Sequence, residues 1–203
     1  MWRGALLLAD FLLSHPEEVQ GRRVVELAAG TGLTAVVAAT LAAAVTATDV
    51  DRGDILALLG RNAGRNLGLM ANPAAFAVME LDFFQQDWPA GLARAVEGSE
   101  VVLAADVVYN RDITKHFFLT LRRVLAAPRV ALLAIERRQS DPRDSATTFA
   151  SNFSYFEHEL QLLQGEVLES GVEVEVKQVD TTFPQHFAYT RVQELTLWRV
   201  TSS

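Results

Sequence analysis

The sequence predicts an α/β fold: a Rossmann-like, seven-stranded, mostly parallel sheet flanked by helices and closed by an antiparallel C-terminal strand pair. Three observations predict it. Residues 24–51, VVELAAGTGLTAVVAATLAAAVTATDVD, read in turn as buried strand, glycine turn, alanine-rich helix, second strand and terminal acid, which is one right-handed crossover unit. Four apolar runs, the one ending that unit included, end in, or just before, an acid: Asp49, Asp82, Asp106 and Glu136. Beyond residue 170 the pattern changes to period-two alternation, as in VEVEVKQV and VQELTLWRV, the mark of half-exposed strands.

Taken in order, residues 2–14 read as an apolar helix stopped by His15–Pro16, because the residue before a proline avoids the helical region. Residues 22–27 form a β-branched apolar run that suits a strand covered on both faces. Gly30 and Gly32 follow, where a tight turn needs positive φ or room for a ligand at the backbone. Residues 33–43 are the crossover helix and 45–50 the second strand. Residues 54–67 read as a helix with Asp54 as N-cap. Its glycines at 60 and 64, with Gly68 just beyond, predict a packed and bent element. Strands are expected at 75–81, 101–105 and 129–135, with a helix at 112–126 after the fourth. From residue 139 the chain turns polar and turn-rich, then helical through 156–163. Strands at 172–179 and 192–200 complete the sheet.

The bulk numbers exclude several classes. The 203 residues fit one domain, 1–203, and are 50% hydrophobic and 21% charged, a globular composition. A net charge of −7 argues against general nucleic-acid affinity, which calls for a basic stripe. The doublets at 22–23, 122–123 and 137–138 are scattered. With no cysteine there is no disulfide and no thiolate metal site, which fits a reducing compartment, cytoplasmic or nuclear. The four histidines show no metal-ligand spacing, so no metal is expected. The apolar run at 4–13 is about half the roughly 20 residues a membrane span needs. The chain opens almost directly on its first helix, which reads as a catalytic core or a truncated product.

GTGLTA fits the loose dinucleotide pattern, a weak signal alone. Glu26 points elsewhere, since a carboxylate four residues before Gly30 would oppose a pyrophosphate and suit a cationic sulfonium ligand with an amino group. S-adenosylmethionine is the better ligand, and Asp49 is placed to accept ribose hydroxyls.

Glu26 to Gly32, Asp49, Asp82 and the DVVY at Asp106 to Tyr109, with WRGALLLADFL at the start, make the chain similar to methyltransferase family 16, the seven-β-strand group rich in protein-lysine methyltransferases. The resemblance covers essentially the whole chain. It implies an enzyme that transfers methyl groups from S-adenosylmethionine to a protein lysine, acting as a monomer without nucleic acid or membrane. Carried over by position, it implies that Glu26, Ala28, Gly30 and Gly32 surround the methionine part of the cofactor. Asp49, with Val50 beside it, holds the ribose, and Asp82 reads the adenine. Trp2 is an aromatic near the cofactor and Ala105 a wall. Asp106 and Tyr109 face the target amine. Asn62 and Asn66 are structural. Ala28 stands where the family has its first turn glycine. The loop 183–186, FPQH, is expected to border the substrate channel.

A lysine amine with a free pKa near 10.4 is neutral in about one molecule in a thousand at physiological pH, a penalty of roughly 4 kcal/mol. A carboxylate beside it raises its pKa further, so Asp106 is expected to draw in and orient the ammonium rather than deprotonate it. Two other readings stand beside this one: a catalytically silent methyltransferase fold that binds partners, and an NAD-type oxidoreductase.

Overall fold

A computed structural model describes residues 2–85, 87–137 and 148–203, with side chains described from residue 152 in the last span. Most of the polar stretch expected from residue 139 therefore lies outside the described residues.

The strands are β1 (Arg23–Leu27), β2 (Ala44–Asp49), β3 (Phe76–Glu80), β4 (Val101–Ala105), β5 (Arg129–Glu136), β6 (Val174–Val179) and β7 (Leu195–Ser202). They form one sheet in the order β3-β2-β1-β4-β5-β7-β6. The first five pair in parallel, whereas β7 lies antiparallel to both β5 and β6. β1 and β4, at the centre, are almost wholly buried, which is why their sequences are continuously apolar rather than alternating. The order reverses between β1 and β4, and ligand crevices in open sheets form at that switch, beyond the strands' carboxyl ends.

Helices α1 (Arg3–Ser14), α2 (Leu33–Ala39) and α3 (Ile55–Arg65) share one apolar cluster; α4 (Ala90–Glu97), α5 (Arg111–Val124) and α6 (Thr148–Leu163) contribute to a second. The sheet contributes residues to both. α4 was not expected from the sequence; it is eight residues long and buries only Leu92 and Val96, too short a stripe to stand out. α2 stops at Ala39, four residues early. α3 is not packed all round: only Leu59 and Ala63 are buried, and Gly60 and Gly64 meet open space. Asp54 holds the N-cap position at φ +62° without a side-chain cap bond, whereas the Asn110 side chain caps α5 by accepting from the Ile113 amide at 2.9 Å.

Residues 180–194 fold back onto α1, so β7 starts three residues later than its alternation suggests. The anchor is Asp10, fully buried on α1. Its carboxylate accepts from the amides of His186 (2.7 Å) and Phe187 (3.1 Å), the Tyr189 hydroxyl (2.9 Å) and Arg191 Nη2 (2.8 Å). Arg191 Nη1 also donates to the carbonyls of Thr181 and Phe183, each at 2.7 Å. Burial first, and the Asp10 carboxylate after it, push the Tyr189 phenol up to about 12 against the pull of Arg191. A buried charge needs this degree of compensation. The FPQH loop is part of this strap. Ser14 Oγ donates to Pro184 O, and Phe183 packs edge-on against Phe11. The loop therefore covers α1 and does not line the crevice described below.

Candidate active site

The crevice is set by the turn between β1 and α2. β1 runs to Leu27 under the core, and then the chain must reverse within five residues. Ala28 (φ +54°), Gly30 (+55°) and Gly32 (+87°) all take left-handed backbone angles, a conformation natural to glycine and unfavourable for alanine by about 1–2 kcal/mol. Ala28 thus keeps the conformation of the glycine expected in its place. At Gly32 a Cβ would also collide with Leu59 Cδ1. Two side chains pin the turn from outside: Asp49 Oδ2 accepts from the Gly30 amide at 2.7 Å, and Asn62 Nδ2 donates to Thr31 O at 2.9 Å. Asn66 in turn donates to the Asn62 carbonyl, so both asparagines act structurally.

Beyond the turn lies a crevice of about 310 Å³, within the usual size of small-molecule sites. Trp2, Ala5, Glu26, Ala28 and Ala29 line it, together with Gly30, Thr31, Leu33, Asp49, Ile55, Ala105 and Tyr109. Seven of the eleven expected site residues are therefore brought together: Trp2, Glu26, Ala28, Gly30, Asp49, Ala105 and Tyr109. Ala5, Ala29, Thr31, Leu33 and Ile55 were not singled out, because small and aliphatic residues carry no chemical signal in a sequence.

Glu26 is 2% exposed, and its Oε2 has no hydrogen-bond partner. Burial raises its carboxyl to about 8; the Ala35 amide and Thr34 hydroxyl pull it down, and the Asp49 charge pushes it further up. Burial of this kind favours the neutral acid, and a cation placed beside it would favour the carboxylate. Asp49 carries its second bond on Oδ1, from the Val50 amide at 2.8 Å; with two lone pairs on each oxygen it retains acceptor capacity.

Gly32, Val50, Asp82 and Asp106 do not line the crevice. Gly32 shapes the turn from behind, and Val50 contributes its amide to Asp49. Asp82 lies past β3 on the same rim, where its Oδ1 accepts from the Phe84 amide and its Oδ2 stands 3.9 Å from the exposed Arg52. Asp106 is buried at 3% exposure with φ +53°. Its Oδ2 accepts from the Gly4 amide at 2.8 Å and its Oδ1 from the Glu136 amide at 2.9 Å. Tyr109, the other end of that motif, does line the crevice and is 42% exposed. Among the described residues no group of histidines, cysteines and carboxylates could hold a metal ion. No helix among them is long and apolar enough to cross a membrane.

Comparisons with known proteins agree with this architecture. Methyltransferase-like protein 22 of Mus musculus is 33% identical over 215 residues, covering 98% of this chain and 54% of its own length. Protein N-lysine methyltransferase METTL21A of Danio rerio is 32% identical over 155 residues, covering 76% of the chain and 67% of its own length. The chain thus spans about half the length of the methyltransferase-like protein 22 relatives it matches. Among solved structures, magnesium protoporphyrin IX methyltransferase from Synechocystis PCC 6803 with bound SAM superposes with a TM-score of 0.58 at 14% identity, covering 98% of this chain and 80% of that one. That likeness speaks to the fold alone. The family model described as lysine methyltransferase matches residues 1–156, and the chain belongs to that family.

Proposed function

We propose that residues 1–203 form one S-adenosylmethionine-dependent protein-lysine N-methyltransferase domain. The observation that carries the reading is Glu26: a buried carboxyl with an orphaned oxygen in a cavity beside a glycine turn. A buried polar atom left unpaired costs about 1–3 kcal/mol, and a ligand bearing an ammonium removes that cost. A dinucleotide's pyrophosphate would add to it, so an NAD-type oxidoreductase is disfavoured.

The residues fit the cofactor. Glu26 would hold its amino group, the turn at Ala28 to Gly30 would let its methionine part approach the backbone, and Asp49 would accept from its ribose. Leu33, Ile55 and Trp2 offer apolar and aromatic wall. S-adenosylmethionine, when bound, supplies a methyl group made electrophilic by the sulfonium. The protein's share is position and exclusion of water. Tyr109, half-exposed at the mouth, would flank the incoming amine and accept a hydrogen bond from it. The net charge of −7 suits a lysine-bearing, basic protein segment and disfavours nucleic acid. Methyltransferase relatives named for protein lysine support a protein substrate. A monomer acting in the cytoplasm or nucleus completes the proposal, the compartment resting on the absence of cysteine.

Titration with S-adenosylhomocysteine and with NAD tests the ligand. Binding of the first and not the second supports the reading; the reverse overturns it. Transfer of labelled methyl groups to lysines of a protein extract then separates an active enzyme from a silent fold.

A further inference from the structure

Asp106 belongs to the motif expected to face the amine, yet its carboxylate is turned into the protein. Its two oxygens take the Gly4 amide, at the second residue of α1, and the Glu136 amide, at the end of β5. Its own amide donates to Ala134 O at 2.8 Å. The fit at Gly4 leaves no room: a Cβ there would stand 2.7 Å from Asp106 Cγ and Oδ2 and 2.8 Å from Ala134 O. One residue earlier, Arg3 grips Glu136 through Nε, at 3.1 Å to Oε2, and through Nη2 to Oε1. One residue earlier again stands Trp2, the extended N-cap of α1 and a wall of the crevice. The first turn of α1 is thus fastened to the ends of β4 and β5 by Asp106 and Glu136, and the crevice wall formed by Trp2 and Ala5 rides on that fastening.

We infer that Asp106 is a positioning residue, which seats the N-terminus of α1 through Gly4 and so holds Trp2 against the bound ligand. It acts on the cofactor side of the crevice, through another residue, and not on the target amine. An acid is required because one side chain must accept two inward-pointing amides at once; a carboxamide offers one oxygen and opposes the other donor with its own N–H. Negative charge at the start of α1 adds to the seating.

The inference rests on the cofactor reading above, and its test is a double-mutant cycle read by S-adenosylhomocysteine affinity on the folded chain. Asp106→Asn, Trp2→Ala and the pair are titrated beside the unaltered protein. Asp106→Asn is expected to weaken binding about tenfold in the Trp2 background and to cause little further loss once Trp2 is removed, the signature of coupled residues. With saturating cofactor, the KM for a methyl-accepting protein stays near the parent value. Arg3→Gln, at a half-exposed side chain, loosens the same fastening without burying a mismatch. It is expected to weaken binding in the same direction, and it carries the test should Asp106→Asn not fold. A purely structural role would lower the melting temperature and leave the dissociation constant of the folded chain unchanged, which overturns the inference. Additive losses overturn it too, as does unchanged cofactor affinity with a raised KM for the acceptor. If the unaltered chain binds no S-adenosylhomocysteine, the cofactor reading fails and this inference falls with it; if it binds and the losses add, only the inference falls.

Discussion

The two walls of the crevice are built in opposite ways. On the β1–α2–β2 wall, Glu26, Ala28, Gly30 and Asp49 lie within one crossover unit, and the bond that closes it, Gly30 to Asp49, spans 19 positions. The α1 wall carries Trp2 and Ala5 on a helix held from far along the chain. Gly4 to Asp106 spans 102 positions, and Arg191 to Asp10 spans 181. The first wall is local and carries the two carboxylates of the proposed cofactor site, Glu26 and Asp49; the second is assembled only once the sheet is complete. Damage to the two walls should therefore separate, with ligand affinity lost first on the local wall and fold stability lost first where the strap meets α1.

The largest expected effect is on the assembled wall. Asp10→Ala strands Arg191, whose side chain is 16% exposed, and strips four donors of their acceptor. Losing one member of a buried ion pair costs about 3–5 kcal/mol, visible as a lowered denaturation midpoint. A midpoint within error of the parent would mean that the strap does not hold α1.

Next comes the local wall. Glu26→Gln keeps the shape and removes the charge, which should weaken S-adenosylhomocysteine binding by about 1.5–3 kcal/mol, roughly 10- to 100-fold. Stability measured without ligand should respond oppositely. A carboxyl raised to about 8 when folded binds more protons than the unfolded chain between its ordinary value and 8, so it lowers stability as pH rises through that window. Glu26→Gln should flatten this slope in urea melts at pH 5 and 8. A steeper slope in the variant would contradict the assignment.

A smaller effect is expected at Gly32, where φ is +87°. Gly32→Ala should destabilise by about 1–3 kcal/mol. The Leu59 methyl in its way is the flexible end of a side chain, so backbone strain is the larger part. Smallest is Ala28→Gly. Relief of left-handed strain, about 1–2 kcal/mol, is set against the greater freedom of the unfolded chain, about 0.4–1 kcal/mol. The melting temperature should stay level or rise by a few degrees, with affinity unchanged.

The same contrast explains what could be read from the sequence. The crossover unit, the strand-terminal acids and the alternating C-terminal strands were legible because each depends on neighbours within a few residues, and they fixed the sheet and most of the local wall. α4 was not legible, since two buried positions in eight residues make no period. Asp106 was recognisable as a strand-terminal acid, but its direction was not. Whether a rim carboxylate points at a ligand or at a helix amide depends on where α1 lands. Asp10 gave no signal at all, because a single acid in an apolar helix says nothing of a partner 181 positions away.

On the proposed reading Glu26, whose carboxyl burial raises, ionises to receive a cationic amino group. Calorimetric titration with S-adenosylhomocysteine at pH 7, in two buffers of different ionisation enthalpy, tests it directly. With burial raising the carboxyl to about 8, binding should release protons, so the observed heats should differ between buffers in the direction of their ionisation enthalpies. Glu26→Gln should abolish that difference. Equal heats in the two buffers for the unaltered chain would show that Glu26 keeps its protonation state on binding, and would contradict the account.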